Sequence, residues 1–213
     1  MYLPDIKLQG GGLCDELRKF GATITGGPSK DGEPSSMSRA ELTSSSFDKE
    51  QGTKGKIDAV VAGLDNDFNY RKLCIANVLL QKHPEALPIA TNEDAYDLVG
   101  SDARHLPGSG SFVKAIECCS QRDAINVGKP SNILAELLSE ENGLNPARTL
   151  FLGDRLDTDI KFGKDGVMLS TLFLTGCTTS HTLVDLDVGT DDELFSHMIF
   201  PHMGMMGLDQ EDI

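Results

Sequence analysis

Apolar residues in this chain come in short bursts with two different spacings. Runs of four to six that read as buried strands alternate with stretches where apolar positions recur every three or four residues, the mark of a helix with one buried face. The runs predict strands over 57–62, 87–90, 124–128, 149–152 and 169–174, and a shorter one over 6–8. Helical spacing covers 13–20, ended by Gly21, then 70–81, where Leu73, Asn77 and Leu80 share a side. Two more helices are expected over 111–120, fed by the turn Pro107-Gly108-Ser109-Gly110, and over 131–141, stopped at Gly143 with Pro146 beyond. A last helix is expected over 158–164. Strand and helix alternating in this way from residue 124 onward indicate parallel β-α-β units. That is an α/β fold, whose active residues sit just beyond the carboxyl ends of the strands.

Residues 21–56 break the pattern. More than half are Gly, Pro, Ser or Thr and few are apolar, which predicts a mobile surface loop. The 213 residues suit one large domain or two small ones, and at 39% hydrophobic the chain can bury a real core. Acidic side chains number 33 against 19 basic, a formal charge of −14. An anion of that size without a basic stripe argues against nucleic acid as a partner. No apolar run approaches the roughly 20 residues of a membrane helix, so no membrane association is expected. The segment Met1-Tyr2-Leu3-Pro4-Asp5 has neither the basic nor the apolar region of a signal peptide. A cytoplasmic chain is therefore expected, a targeting peptide on a longer parent protein aside. The five cysteines, Cys14, Cys74, Cys118, Cys119 and Cys177, lack paired spacing and carry no assigned chemistry.

Two strand ends carry the chemistry. Past the 124–128 strand stand Gly128-Lys129-Pro130-Ser131, with proline opening a helix, and past the 149–152 strand stand Gly153-Asp154-Arg155-Leu156-Asp157-Thr158-Asp159. A lysine and two carboxylates brought to one rim beside a helix N-terminus suit phosphoryl transfer. Hard oxygens hold Mg²⁺ there, and an ammonium balances the charge of the phosphate. Either residue alone would pass for an ordinary surface charge; their shared strand-end placement favours function.

These two motifs, Val127-Gly128-Lys129-Pro130-Ser131 and Thr149-Leu150-Phe151-Leu152-Gly153-Asp154-Arg155-Leu156-Asp157-Thr158-Asp159-Ile160, resemble the third and fourth motifs of the haloacid dehalogenase (HAD) superfamily. The likeness is to its 4-nitrophenylphosphatase, phosphoglycolate phosphatase and pyridoxal phosphate phosphatase type. Gly63-Leu64-Asp65 with Phe68-Asn69-Tyr70, Ala90-Thr91-Asn92-Glu93-Asp94, Pro107-Gly108-Ser109-Gly110-Ser111 and Leu174-Thr175-Gly176 agree with it. The resemblance implies a Rossmann-like parallel-sheet core carrying a large α/β cap. Residues 1–122 would be cap, with 21–56 as its mobile loop, and 123–213 the C-terminal half of the core. It also implies that Lys129 orients the nucleophile and neutralises phosphate, that Asp154 ligates Mg²⁺, and that Asp159 braces the site from behind. Asp157 falls where the family varies. The reaction implied is hydrolysis of a small phosphate ester through an aspartyl-phosphate. Thr91, Asn92 and Asp94, in a segment that also holds Tyr96, are the expected substrate contacts, and homodimerisation through the cap is a further implication.

The chain also departs from the family. The first motif, an Asp-x-Asp after a buried strand, supplies the nucleophile, and the second, a Ser or Thr, holds phosphate; neither is found here. Asp65-Asn66-Asp67 follows a strand, but Phe68 replaces the glycine, no threonine follows, and the stretch already matches the cap. It also fails as an EF-hand loop, since Tyr70 and Ala76 stand where glycine and glutamate are required. Asp185-Leu186-Asp187 lacks an apolar strand before it. The expectation is thus a phosphatase by family whose nucleophile lies outside this chain, leaving these residues alone inactive or nearly so. The alternatives are a non-catalytic HAD-like protein used for dimerisation or ligand binding, and a phosphoacceptor domain of the response-regulator type, which would not explain the cap residues. His197 and His202 among Met198, Met203, Met205 and Met206 suggest a soft-metal site less than a frayed C-terminal segment, in which no further core strand is recognisable.

Overall fold

Backbone pairing starts at β1 (Tyr2–Pro4), which is followed by helix α1 (Leu13–Lys19). The computed structural model describes residues 2–4, 13–27, 33–45, 47, 57–100 and 102–207, so the strand expected over 6–8 lies outside the described residues. The chain divides into two units, residues 1–99 with 104–127 and residues 100–103 with 128–213.

In the first unit β1 is followed by β2 (Thr25–Gly27), α2 (Arg39–Leu42), β3 (Ala59–Ala62), α3 (Tyr70–Lys82) and β4 (Leu87–Ala90). A polar antiparallel hairpin of β5 (Tyr96–Val99) and β6 (Arg104–Pro107) leads to α4 (Ser109–Ser120) and β7 (Ile125–Asn126). The strands pair in parallel in the order β2-β1-β3-β4-β7. All four residues of β3 are buried, as a parallel strand covered on both faces requires. Because successive side chains alternate, Val60 and Ala62 join a core with Ile75, Leu79 and Leu80 of α3 and Val113 and Ile116 of α4. Ala59 and Val61 pack with Cys14, Leu17 and Ile24 on the other side.

Two expectations change here. The 124–128 strand is β7, and it bonds to β4 in this sheet, pairing Ile89 with Ile125 and Ala90 with Asn126. Backbone pairing, which a strand's own composition does not reveal, thus groups residues 124–127 with the first unit. The 21–56 segment is also more than a mobile loop. Its β2 pairs with β1, Ser38 and Glu41 close a capping box on α2, and Met37 and Phe47 are buried in the main core. Two large apolar side chains suffice to anchor a segment whose average composition is polar.

The second unit holds α5 (Asn132–Asn142), β8 (Leu150–Gly153), α6 (Lys161–Asp165), β9 (Leu169–Phe173), α7 (Ser180–Val184) and β10 (Met198–Phe200). Ser131 caps α5 by accepting from the Ile133 amide, which puts Pro130 before the cap and not inside the helix. Gly143 ends α5 at φ 62°, a left-handed position that glycine takes without strain. The helix expected over 158–164 begins as one wide π turn, Leu156–Ile160, in which the Asp159 and Ile160 amides share the Arg155 carbonyl. The parallel sheet runs β10-β9-β8. The C-terminal segment, expected to fray, therefore returns a strand: Met198, Ile199 and Phe200 pair with Thr171, Leu172 and Phe173. Leu156, Ile160 and Leu172 form this unit's core, with Leu174, Leu183, Leu186 and Leu194 packed on it.

Candidate active site

The chemistry gathers where β8 ends. Gly153 is its last residue, and the next two amides, of Asp154 and Arg155, both donate to Asp159 Oδ2, at 3.0 and 3.1 Å. The π turn brings this about, because its extra residue swings Asp159 back under the strand end. Lys129 Nζ donates to the other oxygen, Oδ1, at 2.5 Å. Asp159 is buried, at 4% exposure, so one carboxylate fixes the strand end and the lysine together. Gly153 is obligatory for this approach: a Cβ there would fall 2.2 Å from the Asp159 Cβ.

Asp154 is held from a different strand. Its Oδ2 accepts from the Cys177 amide at 2.7 Å, and its carbonyl accepts from the Thr178 amide at 3.0 Å, so the loop after β9 grips it twice. A Cβ on Gly176 would lie 1.8 Å from Asp154 Oδ2, so only glycine lets that loop close. Among the described residues, Oδ1 of Asp154 accepts no hydrogen bond. Sequence reasoning missed the Cys177 amide; the Thr175-Gly176 pair past a strand end was its one visible signal. Asp157 is exposed and makes no contact in this network.

Thr91, Asn92 and Asp94 cluster past the end of β4 in the first unit. The Thr91 hydroxyl donates to Asn92 Oδ1 at 3.1 Å, and Asn92 Nδ2 donates to Asp94 Oδ2 at 2.8 Å. Gly108 and Gly110 at the start of α4 pass so close beneath that a Cβ on either would fall 2.3 Å from the carbonyl oxygen of Asp94 or Glu93. Tyr96 stacks on His105 across the hairpin, centroids 3.7 Å apart. Asp65, the nucleophile look-alike, is 3% exposed, with Oδ2 bonded to Lys72 Nζ at 2.7 Å and Oδ1 accepting from the Asp67 amide. A carboxylate so engaged is a structural ion pair.

For a divalent metal the donor set is lean. Among the described residues no three His, Cys, Asp or Glu side chains converge. Asp154 Oδ1 is a hard oxygen of fixed direction, which fits Mg²⁺, an ion that takes one or two protein carboxylates and keeps water or substrate oxygens for the rest. Both oxygens of Asp159 are already engaged, Oδ1 by Lys129 and Oδ2 by the Asp154 and Arg155 amides. No helix among the described residues is long and apolar enough to cross a membrane.

Comparison with known proteins bears on these motifs. Residues 126–196 match a family model described as HAD-hydrolase-like. The chain is 38% identical to phosphoglycolate phosphatase 2 of Arabidopsis thaliana over 176 residues, 83% of this chain and 56% of that one. It is 38% identical to human chronophin over 169 residues, 79% and 50%. It thus spans about half the length of these relatives. A hypothetical protein from Pyrococcus horikoshii superposes with a TM-score of 0.69 at 28% identity, covering 96% of this chain and 66% of that one. A glycerol phosphate phosphatase from Mycobacterium tuberculosis, solved in complex with magnesium, shares the fold at a TM-score of 0.59 and 23% identity, covering 88% and 47%. Residues 126–196 are thus HAD-hydrolase-like in sequence, and over 79–83% of its length the chain is similar to proteins named as phosphoglycolate phosphatase and chronophin.

Proposed function

We propose that this chain carries the lysine and the metal carboxylate of a Mg²⁺-dependent phosphatase for a small phosphate monoester of phosphoglycolate or 4-nitrophenyl phosphate type, the nucleophile lying outside residues 1–213. The observation behind this is Asp159, which holds the Lys129 ammonium through one oxygen and the Asp154 backbone through the other. Lys129, 40% exposed at its side chain, offers a cation to a phosphate oxygen while Asp159 fixes its position. Asp154 presents Oδ1 to the ion, which when bound would withdraw charge from the phosphoryl oxygens. Thr91, Asn92 and Asp94 are the proposed substrate contacts, and a cytoplasmic homodimer joined through the first unit belongs to the same reading. The buried pairing of Asp65 with Lys72 supports leaving Asp65 out of the chemistry.

Purified residues 1–213 should hydrolyse 4-nitrophenyl phosphate with Mg²⁺ no faster than the buffer. Turnover that Asp65→Asn abolishes without unfolding the chain would overturn the nucleophile assignment. Metal binding is read separately: Mg²⁺ should shift the Cys177 amide resonance in the wild type and leave it still in Asp154→Asn. An equal shift in both would remove Asp154 from the site.

A further inference from the structure

His197, just before β10, makes an unusual bond. The parallel ladder between β9 and β10 opens with the His197 amide donating to the Ser170 carbonyl at 3.0 Å and closes with the Leu174 amide donating to the Phe200 carbonyl at 3.1 Å. The Ser170 amide points to the same side, where a ladder would give it a backbone carbonyl. It donates instead to His197 Nδ1, at 3.0 Å. The Ser170 hydroxyl lies 2.9 Å from the same nitrogen. Ser170 is fully buried, so its N–H has no water to turn to if this acceptor is lost.

The acceptor exists in only one protonation state. Nδ1 can receive an N–H only when it is bare, which requires the neutral ring with its proton on Nε2. Adding a proton at Nδ1 turns the acceptor into a donor facing the Ser170 N–H. The cavity beside the ring is lined by Ala147, Lys164, Val167, Met168 and Leu169. Its charged member is Lys164 on α6, whose Nζ donates to the Asp192 carbonyl; β9 presents the neutral Ser170.

We propose that His197 is a proton-operated latch on β10: neutral, it stands in for a ladder carbonyl and closes the strand onto β9; protonated, it releases the strand's first turn of pairing. The far end of the same ladder, Phe200 to Leu174, lies two residues before Gly176 and Cys177, the loop that grips Asp154. Acidification should therefore loosen that grip as well.

Asparagine is the informative substitution, because its Oδ1 can take the place of Nδ1 without titrating. Hydrogen-exchange protection, corrected for intrinsic rates, should fall about tenfold at Ser170 and Ile199 between pH 7.5 and 5.5 in the wild type, the loss expected for one buried hydrogen bond. It should hold steady in His197→Asn and be low at both pH values in His197→Ala. Should the alanine variant fail to fold, nitrogen NMR of the wild-type imidazole decides alone: a bare Nδ1 at pH 7.5 supports the latch, and a protonated Nδ1 overturns it. Equal pH dependence in the wild type and His197→Asn would also overturn it.

Discussion

At the scale of single residues, the site depends on two places where a side chain is forbidden. Gly153 lets Asp159 fold beneath the strand end, and Gly176 lets the Cys177 amide reach Asp154. Neither glycine is in a left-handed conformation, so the requirement is space and not backbone freedom. Gly176→Ala should push the Asp154 carboxylate aside, break the 2.7 Å bond to Cys177 and cost about 1–3 kcal/mol, as overpacking of a tight contact does. Thermal unfolding measures the cost, and the Cys177 amide proton should move upfield as its charged acceptor leaves. An unchanged amide shift would mean that the loop, and not the carboxylate, yields.

At the scale of elements, α2 shows how a four-residue helix survives in a polar segment. The Ser38 amide donates to Glu41 Oε2 at 2.8 Å, the Glu41 amide donates to Ser38 Oγ at 3.2 Å, and Arg71 reaches from α3 to Glu41 Oε1 at 3.1 Å. The Ser38 backbone N–H, then its hydroxyl, then Arg71 hold the Glu41 carboxyl down at about 2. A folded value below the ordinary 4.5 means stability that is fully present above about pH 4.5 and lost as pH falls through about 2. Glu41→Gln keeps the box's hydrogen bond and removes the charge. The gap in melting temperature between the wild type and this variant should grow from pH 2 to 4.5 and stay level above. A gap independent of pH would show that shape alone matters. The same segment marks the limit of reading elements from sequence. Strands β3, β4, β8 and β9 announce themselves because each is written as a short, mostly apolar run, which β3 buries in full. Thr25-Gly26-Gly27 of β2 carries no such run and is a strand only because β1 offers its edge. Met198-Ile199-Phe200 of β10 is three residues long and depends on β9 in the same way. Lys129, Asp154 and Asp159 were legible because charged side chains at strand ends have a sequence signature. The Cys177 amide was not, since every residue except proline has one.

At the scale of the whole chain, one surface departs from the rule that amphipathic helices turn their apolar side inward. On α5 the positions that face Pro146, Asp165, Gly166 and Val167 across a cleft are Asn132, Ala135, Glu136 and Ser139, and Ala135 is the helix's single buried residue. With 100° between successive residues, Ile133, Leu134, Leu137 and Leu138 fall on the opposite side. Ile133 is 40% exposed and Leu137 47%. The neighbouring sheet repeats the theme, since β8 pairs only with β9 among the described residues and Leu150 on it is exposed. An apolar stripe of this kind favours association, while its residues contribute little to the fold they face away from. The double variant Leu137→Glu, Leu138→Lys should therefore leave unfolding stability within about 0.5 kcal/mol of the wild type, as surface substitutions do. It should also lower the binding of a hydrophobic dye and the light scattering from assemblies larger than a dimer. If stability instead drops by several kcal/mol, as for truncation of a packed core, the stripe is buried in solution and its cover belongs to the fold.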